Sequence, residues 1–118
     1  MNKLVDLQPR IVEKMIEDNI VMIDVRREDE FKRTGVIKNV HLLTFFDEYG
    51  EYDIEKWMGE FEKLVTSKEQ TFVLICAHAN RTRSIGNFLI EQEYKNTAHL
   101  YGGMALWMQE LREVIPYN

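Results

Sequence analysis

Residues 71–86 read TFVLICAHANRTRSIG. The chain's one cysteine, Cys76, stands where an apolar run stops, and four residues separate it from Arg81, which Thr82 follows. A thiol, a guanidinium and a hydroxyl on one short segment suit nucleophilic chemistry at sulfur. The thiolate is the reactive form of cysteine. A tight loop that turns its N–H groups inward favours it, as does the positive end of a following helix. Arg81 adds a permanent charge, either inside the loop or at its rim. The competing reading is a small buried hydrophobe at a strand end. Ala77, His78, Ala79 and Asn80 are small or polar, unlike a strand that continues inward, and this favours the loop.

The elements that must hold such a loop are legible as alternating patterns. Pro9 suits the first position of a helix, with Val12, Met15 and Ile16 on one face. Residues 20–25 (IVMIDV) are apolar and rich in branched side chains, as in a buried strand. Residues 28–33 fit a short helix closed by Gly35, and residues 40–43 a second strand. The stretch FFDEYGEYD turns around Gly50. Asp53 is placed to cap a helix striped by Ile54, Trp57, Met58, Phe61, Leu64 and Val65. Residues 72–76 give the strongest strand. Ile85, Phe88 and Leu89 mark the helix that starts at Arg81, residues 97–100 a short strand, and Gly102-Gly103 the opening of a last helix with Met104, Trp107 and Leu111. Strands separated by helices predict a single α/β domain over residues 1–118. Its mostly parallel sheet, of about five strands, would carry helices on both faces. In such sheets ligands bind beyond the carboxyl ends of the strands, where Cys76 lies.

Composition narrows the function. The chain has 118 residues, 45% of them hydrophobic, so it can bury one core. A net charge of −5 argues against nucleic acid or an anionic membrane as the main partner. One cysteine leaves no intramolecular disulfide, and His41, His78 and His99 lie too far apart for helical metal-ligand spacing, so no metal is expected. The N-terminus lacks the pattern of a signal peptide, and no apolar stretch approaches the ~20 residues of a membrane span. The expectation is a cytoplasmic protein with a reduced thiol.

At these residues the chain resembles the rhodanese-like sulfurtransferases. CAHANRT is similar to that family's active-site loop, with four residues between cysteine and arginine and then serine or threonine. MIDVRREDEF resembles its early strand with Asp-x-Arg, TGVIKNVHL its Gly-x-Ile segment, and HLYGGMALW its closing Gly-Gly-x-x-x-Trp. The resemblance implies a rhodanese-like fold and sulfur transfer in two halves. Cys76 takes a sulfane sulfur from thiosulfate or a persulfide, becomes a persulfide, and yields the outer sulfur to cyanide or a thiol. It implies that the loop of Ala77, His78, Ala79, Asn80, Arg81 and Thr82 cradles the persulfide, that Asp24 and Arg26 support the loop, and that no cofactor is needed. The partners it implies are a small donor and acceptor or a persulfide-carrying protein. Oligomeric state is left open.

The rivals are a non-enzymatic rhodanese-like module that carries sulfur, senses it or binds protein, and a cysteine phosphatase or arsenate reductase. The last pair place five residues between cysteine and arginine, a wider ring suited to a tetrahedral oxyanion. This chain departs from many active relatives, which have a basic residue at the position of Ala77 and a glycine at that of Ala79. A positive φ at residue 79 would strain alanine, and the missing charge weakens attraction for thiosulfate, so a persulfide donor stands beside it. Protonated His78 would replace part of that charge. Arg83 reads as a solvated helix residue, and Trp57 and Trp107 as core. Gly102 and Gly103 read as a turn and helix start. Phe45, Phe46, Tyr49 and Tyr52 would flank the site or cover the core.

Overall fold

In the computed structural model, which describes residues 2–118, the apolar runs and helical stripes fold as alternating strands and helices. In chain order these are β1 (Val5–Leu7), α1 (Pro9–Glu17), β2 (Val21–Asp24), α2 (Glu28–Thr34), β3 (His41–Leu42), α3 (Ile54–Leu64), β4 (Phe72–Ile75), α4 (Asn80–Glu91), β5 (Thr97–Leu100) and α5 (Gly103–Gln109). The strands form one parallel sheet in the order β1-β5-β4-β2-β3. The expected boundaries largely coincide with these. Pro9 opens α1, the Asp53 carboxylate caps α3 by accepting from the Lys56 amide at 3.1 Å, and Gly35 ends α2 at φ 81°. β3 is shorter than expected. β1 has no counterpart in the sequence reading, because three residues are too few to show alternation.

Side-chain alternation divides the core between the two faces. Ile23, Val25, Phe72, Leu74 and Cys76 pack with Trp57 and Phe61 of α3 and Ile85 and Leu89 of α4. Met22, Val73, Ile75, Ala98 and Leu100 pack with Val12 of α1 and Met104 and Trp107 of α5. Both tryptophans are core residues, as their helical spacing requires.

The strand order also locates a crevice. From β2 the chain moves outward to β3, then returns to β4 and continues the other way to β5. The direction reverses between β2 and β4, which pair in register from Val21↔Phe72 to Asp24↔Ile75. Ligands of open parallel sheets bind at such a reversal, outside the carboxyl ends of the strands. Those ends carry Asp24 and Arg26 on one side and Cys76 on the other.

Candidate active site

Residues 76–79 form the turn between β4 and α4. Cys76 is 1% exposed, and its Sγ lies 3.4 Å from the Thr82 hydroxyl on the first turn of α4. The turn is anchored from outside by α5, where the Met104 amide donates to the Cys76 carbonyl at 2.8 Å and the Ala105 amide to the Ala77 carbonyl at 3.0 Å. Gly103 makes that approach possible. A Cβ there would stand 2.6 Å from the Cys76 carbonyl oxygen, and its φ of +62° favours glycine. The glycine pair is thus a turn and helix start, as expected, and also the seat of the loop.

Ala79 has φ 68° and ψ 7° and is buried. The left-handed conformation that a glycine would take freely is here imposed on alanine, as the sequence suggested. With the carbonyls of residues 76 and 77 turned to α5 and residue 79 left-handed, the N–H groups of residues 77–81 donate to no protein acceptor among the described residues. Successive amides in this arrangement form a concavity that suits a negative atom. His78 and Asn80 are exposed. His78 borders a shallow cleft of about 170 Å³ together with Arg26, Arg33 and Met104.

Arg81 finds its partner on a neighbouring helix. Its guanidinium forks onto Glu30 of α2, with both nitrogen–oxygen distances at 2.7 Å. Glu30 is 5% exposed and also accepts from the Arg27 amide at 3.1 Å. Burial raises its carboxyl, but the Arg81 fork and the Arg27 amide outweigh burial and hold it at about 2. The charge expected to act on the sulfur is therefore matched by a carboxylate, and Arg81 ties the start of α4 to α2.

Asp24 and Arg26 are buried and paired at 2.9 Å, with the Arg26 Nε also donating to Asp24. Burial pushes the Asp24 carboxyl up, against the hydrogen bonds from Arg26. The Arg26 Nη1 donates to the Thr34 hydroxyl at 2.8 Å, and Nη2, besides pairing with Asp24, donates to the Gly35 carbonyl at 3.1 Å. Neither residue hydrogen-bonds to residues 76–82. Their alternation places them on the opposite face of the sheet from the Cys76 side chain, where they clamp the end of α2. Support reaches the loop in two stages, through α2 and then Glu30 to Arg81.

Sequence reasoning missed the polar residues beneath Thr82. The Thr82 hydroxyl lies 2.8 Å from His99 Nδ1, and His99 Nε2 lies 2.5 Å from the Asp6 carboxylate. Asp6 and His99 are register partners on β1 and β5. The one signal available was a histidine inside an otherwise buried strand. Of the aromatic cluster, Phe45 enters the core. Phe46 and Tyr52 border an apolar cleft of about 270 Å³ with Ser84, Ile85 and Phe88, and Tyr49 is exposed.

This combination of a parallel five-stranded sheet and a cysteine loop at its reversal point defines a family. The profile of the rhodanese-like domain matches residues 8–110, and the chain belongs to that family. It is 27% identical over 90 residues to the thiosulfate sulfurtransferase GlpE of Coxiella burnetii, covering 75% of this chain and 72% of that one. To the enzyme of the same name from Pseudomonas syringae it is 24% identical over 109 residues, 91% of this chain and 90% of that one. Among solved structures, the polysulfide-sulfur transferase homodimer of Wolinella succinogenes superposes with a TM-score of 0.74 at 27% identity, covering 98% of this chain and 80% of that one. A rhodanese-related protein of Thermoplasma volcanium gives 0.72 at 20% identity, over 96% and 99%, and shares the fold. No helix among the described residues is long and apolar enough to cross a membrane.

Proposed function

We propose that the protein is a rhodanese-type sulfurtransferase that carries sulfane sulfur on Cys76. The observation that carries this reading is the sulfur's position at the base of a loop with five successive unpaired amides, at the sheet's reversal point. In the first half-reaction the Cys76 thiolate attacks the sulfane sulfur of the donor. A new S–S bond forms at Cys76, and the donor's bond breaks with its electron pair leaving on sulfite or a thiolate. The outer sulfur of the persulfide carries the negative charge, which the amides of residues 77–81 stabilise by hydrogen bonding. In the second half-reaction cyanide or a thiol attacks that outer sulfur and Cys76 leaves as thiolate.

The charges around the loop bear on the donor. Ala77 is neutral, Arg81 is neutralised by Glu30, and Arg26 by Asp24. Thiosulfate carries two negative charges and meets little free positive charge here. A persulfide, carrying at most one at the reacting end, needs less. The reading therefore favours a persulfide donor over thiosulfate, although the curated relatives are named for thiosulfate.

Intact mass spectrometry after incubation with glutathione persulfide or thiosulfate tests the assignment. One added sulfur atom, absent in Cys76→Ser and removed by cyanide with thiocyanate released, is the expected result. An adduct that persists in Cys76→Ser would overturn the site. Loading without turnover to any acceptor would make the protein a sulfur carrier rather than an enzyme.

A further inference from the structure

The buried chain Cys76–Thr82–His99–Asp6 has a direction that hydrogen counting determines. Sγ to Oγ1 is 3.4 Å, Oγ1 to Nδ1 is 2.8 Å and Nε2 to Oδ1 is 2.5 Å. An ionised carboxylate only accepts, so with Asp6 ionised the neutral imidazole carries its proton on Nε2 and its Nδ1 is an acceptor. The Thr82 hydroxyl must then donate to Nδ1. It has one hydrogen, so it can only accept from the sulfur, and Cys76 is the donor as a thiol. The resting order is S–H to Oγ1–H to Nδ1, with Nε2–H to Asp6. Cys76 and His99 are 1% and 0% exposed, so this line connects the sulfur to the partly exposed Asp6 through side chains alone.

We propose that Thr82, His99 and Asp6 are a proton relay for Cys76, with His99 as the positioning residue that sets the direction of the Thr82 hydroxyl and stores the thiol proton. The S–H bond breaks and its electron pair stays on sulfur. The proton passes to Thr82 Oγ1 while the Thr82 proton passes to the lone pair of Nδ1. Thr82 ends neutral, its hydroxyl now turned to the thiolate, and His99 ends as an imidazolium that donates to Thr82 and to Asp6. Protons and charge balance with no external base, and the return of the proton restores the resting thiol.

The charged surroundings suit a transient store. Burial lowers His99, Asp6 on β1 opposes that, and Arg83 on α4, 3.7 Å from the same Asp6 oxygen, adds to the lowering. At rest the imidazole is neutral and ready to accept. The Cys76 thiol, first residue of the turn after β4, is the one proton source it meets through Thr82.

The relay rests on Cys76 as the nucleophile of the proposed function, but its test reads the thiol and needs no sulfur donor. The rate of Cys76 alkylation by iodoacetamide is followed across the neutral pH range. Thr82→Val removes the bridge, and Asp6→Asn keeps an acceptor while removing the charge that the imidazolium requires. Each is expected to slow alkylation at neutral pH by roughly a hundredfold, the lower end of the scale of positioned proton transfer. The double variant should be no slower than the slower single, since one line is cut twice, and Thr82→Ser should restore the rate. Imidazole nitrogen NMR of the resting protein should show His99 as the Nε2–H tautomer. Multiplying losses, a rate untouched by Asp6→Asn, or an Nδ1–H resting tautomer would overturn the relay. The NMR and Asp6→Asn arms stand even if Thr82→Val fails to fold, because Asp6 is on the edge strand. The expected alkylation pattern with no sulfur adduct from any donor would keep the relay and overturn the sulfurtransferase reading.

Discussion

Two polar supports hold the cysteine loop, and they are built on opposite chemistry. Toward α2 the support is ionic: Glu30 with Arg81, backed by Asp24 with Arg26. Toward β5 it is a line of hydrogen bonds from Thr82 through a neutral His99 to Asp6. Glu30, held at about 2 by the Arg81 fork, stays ionised across the neutral range, and the two pairs act as a clamp. The imidazole, lowered by burial but facing the Asp6 carboxylate, can take up or release a proton and so suits proton movement. The loop is thus rigid on one side and protonically responsive on the other. The proposed sulfur transfer would use both, one to keep the amides in place and the other to ionise the buried sulfur.

The largest effect should come from breaking the clamp at its most buried pair. Arg26→Ala strips the buried Asp24 of the partner that offsets its burial, and a loss of about 3–5 kcal/mol is expected in urea unfolding. Replacing both residues by apolar ones of similar volume should recover most of that loss. If the single substitution costs no more than a surface pair, the clamp is not structural.

Gly103→Ala comes next. Its Cβ would meet the Cys76 carbonyl at 2.6 Å in a left-handed backbone, so α5 or the loop must move. A cost of about 1–3 kcal/mol is expected, with a larger fall in sulfur loading than in stability because the amides of residues 77–81 shift. Equal losses in both would deny the glycine any part in loop placement.

The two supports should also separate on the pH axis. Glu30 is held at about 2 against an ordinary 4.5. With the folded value depressed, its stabilisation is whole above about pH 4.5 and is lost as the pH falls toward 2. His99 is lowered from 6.5. The unfolded imidazole takes up a proton first, so stability begins to fall once the pH drops below about 6.5. Urea midpoints against pH should therefore show two steps. Glu30→Gln should remove the acid step and His99→Gln the one that begins below about pH 6.5. Survival of that second step in His99→Gln would break the contrast between the supports.

The smallest effect concerns strain in the loop. Ala79→Gly relieves a left-handed alanine but loosens the unfolded chain, so a net gain of about 0.5–1 kcal/mol is expected by thermal unfolding. No gain would mean that the surrounding packing already offsets the strain.

The legible part of the site is the part encoded locally. The four-residue interval from Cys76 to Arg81, the polar loop and the helical stripe after it are neighbours along the chain, so spacing alone places the sulfur at a strand end. The Gly-Gly element announced a helix start but not its contact with the Cys76 carbonyl. Asp24 and Arg26 were found by their motif, yet the motif did not show that they face away from the sulfur and act on α2. The spacing showed Arg81 as a charge beside the sulfur but not its partner Glu30, 51 residues away.

What the sequence by itself determined is the alternation of strands and helices, the parallel sheet, the family and the cysteine. These follow from periodicities of two and about 3.6 residues and from short-range spacing. What only the tertiary structure decided is the company that the sulfur keeps. His99 and Asp6 are 93 residues apart and meet because β1 and β5 pair in one register, which places both side chains on the face that α4 covers. The register of a three-residue edge strand leaves no readable pattern in the chain, and hydrogen bonds between distant side chains leave none either.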